Sequence, residues 1–191
     1  LTGGANNIAI GKNSQLLNKT GTDNVTLGFA AMGGAMGGDT AKDSDHNIGI
    51  GSYALGGGWT NVKSEKNVAI GSYAMDADCD GAINNTAVGH LSLSSITTAD
   101  ANTAIGANAG DSLTSGSLNV FIGKDAGNGT SVGLKNVCIG ESAGAAALTT
   151  AAVGTVAIGY GTGNSMTSGE GNTAIGFEAL AAETIGDYNT A

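Results

Sequence analysis

The chain has 191 residues, with 34 Gly, no Pro, 12% charged and 4% aromatic residues, and a formal net charge of −9. Sixteen Asp and Glu against seven Lys and Arg leave no basic patch for phosphate, which argues against DNA, RNA or an anionic membrane surface as partner. No apolar run approaches the roughly 20 residues of a membrane helix, and the glycines lack the every-third spacing of collagen.

From the first residues onward one five-residue phrase recurs. NIAIG closes at Gly11, NVTLG at Gly28, NIGIG at Gly51, NVAIG at Gly71 and NTAVG at Gly89. NTAIG follows at Gly106, NVFIG at Gly123, NVCIG at Gly140, TVAIG at Gly159 and NTAIG again at Gly176, before an eleventh start at Asn189-Thr190-Ala191. The intervals between closing glycines are 17, 23, 20, 18, 17, 17, 17, 19 and 17 residues. A basal period of 17 with insertions is the mark of a solenoid, and it is too short for leucine-rich, ankyrin or tetratricopeptide units. The expected fold is therefore all-β: a parallel β-solenoid of about ten coils in one repeat domain over residues 1–191. At about 4.8 Å per coil the rod is on the order of 50 Å long. The phase runs off both ends, which predicts that the scaffold continues.

Each phrase predicts a short strand. Its second and fourth positions (Thr103 and Ile105, or Thr173 and Ile175) share one face, and the fourth is always Ile, Leu or Val. That pattern predicts an aliphatic core of Ile stacked on Ile. The third position, mostly Ala, then faces the other way, and its lack of charge predicts that a neighbouring sheet or subunit covers it. The closing glycines, Gly106 and Gly176 among them, suit a corner with positive φ. The opening residues, such as Asn102 and Asn172, suit a corner too, either through turn propensity alone or by stacking into a hydrogen-bonded ladder. After each glycine the chain predicts a second short strand with one apolar anchor, then a turn such as Thr114-Ser115-Gly116.

The long intervals place insertions near residues 32–46 and 56–66, on adjacent coils and hence side by side. Inserted solenoid loops commonly form a binding face, which makes Asp45, His46, Trp59 and Lys63 candidate ligand-contacting residues. Trp59, the only Trp, either stacks on a sugar or partner, or covers core at the edge. Asp76, Asp78 and Asp80, followed by Gly81, resemble the first half of a calcium loop, yet Ala87 stands where the bidentate Glu belongs. A weak Ca²⁺ site and an acidic solvated turn are both open readings. Two cysteines, Cys79 and Cys138, are too few for a disulfide framework, and Cys138 occupies a small buried position as a free thiol. Serine-elbow, zinc-protease and phosphate-loop motifs are absent from the sequence, so it carries no signature of an enzyme.

Repeats such as Asn67-Val68-Ala69-Ile70-Gly71 resemble the head repeats of trimeric autotransporter adhesins. The longer unit Asn172-Thr173-Ala174-Ile175-Gly176-Phe177-Glu178-Ala179-Leu180 is similar to repeats of phage tail fibres. The resemblance covers essentially the whole chain. It implies a left-handed solenoid assembled as a homotrimer, in an extracellular or virion fibre that attaches to a host receptor or glycan. The alternative is a self-assembling filament or sheath protomer with no specific receptor.

Overall fold

In the computed structural model, residues 4–16, 20–34, 43–59, 62–146, 148–149 and 152–191 are described. Ten three-residue strands form one parallel sheet in sequence order: β1 (Ile8–Ile10), β2 (Val25–Leu27), β3 (Ile48–Ile50), β4 (Val68–Ile70), β5 (Thr86–Val88), β6 (Thr103–Ile105), β7 (Val120–Ile122), β8 (Val137–Ile139), β9 (Val156–Ile158) and β10 (Thr173–Ile175). Every neighbour pairs in phase, so Ile105 opposes Ile122 and Ala104 opposes Phe121. The chain is thus an all-β parallel solenoid, and no α-helix occurs among the described residues.

The orientation of the strands reverses the sequence expectation. The third position points into the lumen: Ala69, Ala87, Ala104, Phe121, Cys138, Ala157 and Ala174 are all fully buried. The aliphatic second and fourth positions point outward. Ile10 is 57% exposed, Ile105 41% and Ile175 59%. The physical reason is the narrowness of the coil. A Cβ built on Gly49, the third position of β3, would lie 3.2 Å from the Ala54 carbonyl oxygen across the lumen. A rank of branched side chains does not fit there; a methyl group does.

The core is completed from the other side of the coil. After the closing glycine the chain turns inward and delivers Ala54 and Leu55, Ala74 and Met75, or Leu93, all fully buried. This segment is a turn and not the expected second strand. Its second and fourth residues after the glycine are left-handed: Tyr53 and Leu55 have φ of 57° and 55°, Tyr73 and Met75 58° and 48°. A third left-handed residue precedes each opening Asn, for example His46 at 58° and Ala101 at 56°. A strand is incompatible with two such residues two positions apart. None of the non-glycine left-handed residues is β-branched, as their crowding at Cβ demands.

Lumen volume is conserved by exchange between the two sides. Where β7 places Phe121 inward, the turns put Gly110 and Gly127 at positions held elsewhere by Leu or Met. A Cβ at Gly110 would stand 2.7 Å from Phe121 Cδ2, and one at Gly127 2.5 Å from Cε1. Cys138 is matched in the same way by Gly144, whose Cβ would fall 2.5 Å from Sγ. Close packing of this kind leaves no slack for an extra methyl group.

The closing glycines stack as a column. Their φ lies between 128° and 144°, and at Gly106 a Cβ would sit 2.6 Å from the Gly123 carbonyl carbon. Both the dihedral and the space exclude any other residue.

Candidate functional site

Three surface features stand on this frame. The first is the outer face of the ten-strand sheet. Its twenty outward positions are Ile, Val, Thr or Leu, with no charge. Sheets made only of parallel strands ordinarily have both faces covered, because their backbone and aliphatic rows are poorly suited to water.

The second is a row of exposed rings along the edge of that face. Phe29 meets Tyr53 edge-on at 5.4 Å, Tyr53 stacks on Tyr73 at 5.2 Å, and Tyr73 meets the His90 ring at 6.3 Å. Farther along, Tyr160 stacks on Phe177 at 5.3 Å. The rings lie one or two residues after closing glycines, so the rise per coil brings them to stacking distance. The sequence alone does not single them out, because the equivalent positions in other coils hold Lys, Ser, Asn, Asp, Glu, Ala, Leu or Gly.

The third is the corner where the longer coils meet. All the length variation falls between the inward turn and the residue three before the opening Asn, so the insertions share one edge. They continue the stack: a Cβ on Gly57 would lie 2.6 Å from the Asp76 carbonyl oxygen of the following coil. Residues 35–42 and 60–61 of these insertions lie outside the described residues. Asp45 and Lys63 come together, while the His46 ring turns to the preceding coil. Asp45 Oδ1 accepts from the Thr22 N–H at 2.6 Å, while Lys63 Nζ lies 3.4 Å from Asp45 Oδ2 and 2.7 Å from Glu65 Oε1. The hydrogen bond to Glu65 raises the Lys63 pKa, aided by both carboxylates and opposed by desolvation. His46 points to Asp23, with Nε2 to Oδ2 at 3.5 Å.

Trp59 does not join them. It is fully buried as the largest side chain of the core, and its indole N–H has no hydrogen-bond partner among the described residues. Of its two sequence readings the structure takes the packing one: the indole is part of the continuous buried core.

The three aspartates of the acidic turn are used separately. Asp78 Oδ1 accepts from the Gly58 N–H and Asp80 Oδ1 from the Val62 N–H, each at 2.6 Å. Asp76 is half-buried, and desolvation raises its pKa. Among the described residues no group of three or more His, Cys, Asp or Glu side chains is placed to hold a metal ion. Asp78 and Asp80 each staple one coil to the coil before it, a role shared by Asp100 with the Ile83 N–H and Asp187 with the Glu170 N–H.

Behind the corner runs a ladder of buried asparagines. From Asn24 to Thr155 each opening residue donates its backbone N–H to the Oδ1 of the opening Asn one coil earlier, at 2.9–3.0 Å. The amide nitrogens donate forward, Asn102 Nδ2 to the Gly116 carbonyl at 3.0 Å and Asn119 Nδ2 to that of Gly133 at 2.8 Å. The two cysteines are buried free thiols, with pKa values pushed up to about 12 by desolvation, which leaves them poor nucleophiles.

No family model, curated protein or solved structure matches this chain.

Proposed function

We propose that this chain is a rigid segment of a homotrimeric fibre, extracellular or on a virion, built from left-handed solenoids and serving reach and attachment in place of chemistry. One observation carries the reading: ten ranks of uncharged Ile, Val, Leu and Thr side chains stand on the outer face of a parallel sheet, all at least partly exposed in the single chain. Association through this face buries it and leaves the charged corner outward. The interface belongs to the Ile and Val columns, because the small-residue positions are spent inside the coil.

The corner formed by Asp45, His46, Lys63 and Glu65 is then the attachment surface for a host receptor or glycan. It lies on the coils that depart most from the basal period, and its mixed charges offer both donors and acceptors to a polar ligand. Native mass spectrometry tests the assembly. A mass of three chains is expected, a monomer or dimer overturns the reading, and an open-ended series of masses favours the filament alternative.

A further inference from the structure

We propose that the junction between β9 and β10 is a preset opening point of the solenoid, created where Thr155 interrupts the asparagine ladder. Everywhere else from Asn7 to Asn189 the opening position is Asn. Thr155 keeps the backward bond, its N–H donating to Asn136 Oδ1 at 3.0 Å. The forward bonds are missing. Among the described residues its buried Oγ1 has no partner, and the Asn172 N–H, which by the pattern of the ladder should find an acceptor at residue 155, finds none.

The loss can be counted against an intact junction. Asn85 Oδ1 accepts from the Asn102 N–H at 3.0 Å and from Asn102 Nδ2 at 3.1 Å, while Asn85 Nδ2 donates to the Ala99 carbonyl at 2.8 Å. Threonine has no amide, so the corresponding bonds to Asn172 and to the Gly169 carbonyl do not form. Asn172 is itself buried, so water does not reach its N–H from the surface. Buried polar groups left without partners weaken a packed structure more than the lost bonds alone.

The backbone at this junction is also the most permissive of the series. The left-handed residue before the opening position is Gly154 on one side and Gly171 on the other, with φ of 72° and 66°. In the other coils the same place is held by Asn, Asp, His, Lys, Ala, Leu or Tyr. A Cβ on Gly154 would meet nothing within 4 Å, so no side chain packs over that position, and the corner is held by the backbone bonds from the Val156 N–H to the Asn172 carbonyl at 2.8 Å and from the Gly171 N–H to the Val153 carbonyl at 3.0 Å. The glycine corner opposite remains closed: Thr162 Oγ1 donates to the Gly176 carbonyl at 2.6 Å, and Tyr160 stacks on Phe177. Opening therefore begins at the asparagine corner and swings about the glycine corner.

Native-state hydrogen exchange on the full chain tests this. The Val156 N–H, bonded to the Asn172 carbonyl at 2.8 Å, reports on the asparagine corner of the β9–β10 junction, and the Thr86 N–H, bonded to that of Asn102 at 2.8 Å, on the same corner of β5–β6. The Val156 amide should exchange at least about tenfold faster than that of Thr86, and Thr155→Asn should slow it by a similar factor. Asn102→Thr adds a second gap at mid-chain, away from end fraying. The Thr103 N–H, bonded to the Asn119 carbonyl at 2.9 Å, should then exchange about tenfold faster than in the parent. Equal rates for Thr86 and Val156 in the parent, or an unchanged Thr103 amide in Asn102→Thr, overturn the proposal.

Discussion

Asn85 Oδ1 receives both the backbone N–H and the side-chain amide of Asn102, at 3.0 and 3.1 Å, inside a corner sealed from solvent. Asn102 Oδ1 repeats the arrangement with Asn119, at 2.9 and 3.0 Å. Asn102→Ala therefore strands the Asn119 N–H and the Gly116 carbonyl together. The expected loss is on the order of 3 kcal/mol, at 1–3 kcal/mol for each buried group left unsatisfied. Urea unfolding measures it, and a loss below about 1 kcal/mol would remove the ladder from the account of stability.

Gly106→Ala acts on the neighbouring column. Its φ of 139° is closed to alanine, and the new methyl group would meet the Gly123 backbone. Strain and clash add, so several kcal/mol are at stake and the variant should unfold or fail to accumulate. Gly154→Asn is the control. It places a residue tolerant of left-handed geometry in open space, where stability should hold or rise by up to about 1 kcal/mol. Equal effects at the two sites in a thermal melt would count against this explanation of the column.

The lumen exchange predicts coupling. Phe121→Ala should cost about 3–5 kcal/mol through its cavity. Gly127→Leu should cost about 1–3 kcal/mol through overpacking, although leucine already occupies this place with positive φ at Leu55 and Leu93. Combined, the two changes recreate the Ala-plus-Leu coil found at Ala87 and Leu93, so the double variant should be more stable than Phe121→Ala alone. Additive losses in a double-mutant cycle would reject the compensation.

These residues also show what was legible in the sequence. The period of 17 and the invariant glycine gave the parallel coil, because both follow from backbone geometry. The assignment of faces failed because alternation marks two sides of a strand without saying which is inside. In an ordinary sheet the larger apolar side chain goes inward. In a coil this thin, the opposing turn stands within reach of Cβ and the rule inverts. Phe121 was the misleading exception, since its accommodation depends on Gly110 and Gly127, residues unremarkable until the fold places them. Trp59 was ambiguous for a similar reason: a lone aromatic in an insertion has the same sequence signature whether the insertion projects or stacks.

The thiols supply a simple check on burial. With pKa values raised to about 12 by desolvation, Cys79 and Cys138 should resist alkylation by iodoacetamide at pH 8 in the folded protein. Both should react within minutes once the chain is unfolded in guanidinium. Labelling of Cys138 in the native state would contradict an inward third position in β8.

The sharpest contrast is between adjacent residues of β6. Ile105 is 41% exposed on the outer face, whereas Ala104 is fully buried in the lumen. Ala104→Leu must force a branched side chain between the strand and its opposing turn, so the single chain should lose about 1–3 kcal/mol or fail to fold. Ile105→Lys leaves the lumen untouched and places a charge where neighbouring chains are proposed to meet. The circular dichroism spectrum of the variant should match the parent, because the coil does not depend on that side chain. Its native mass should fall from three chains to one, since a charge buried in an aliphatic interface without a partner is costly. An Ile105→Lys trimer of undiminished stability would show that the chains associate through some other surface.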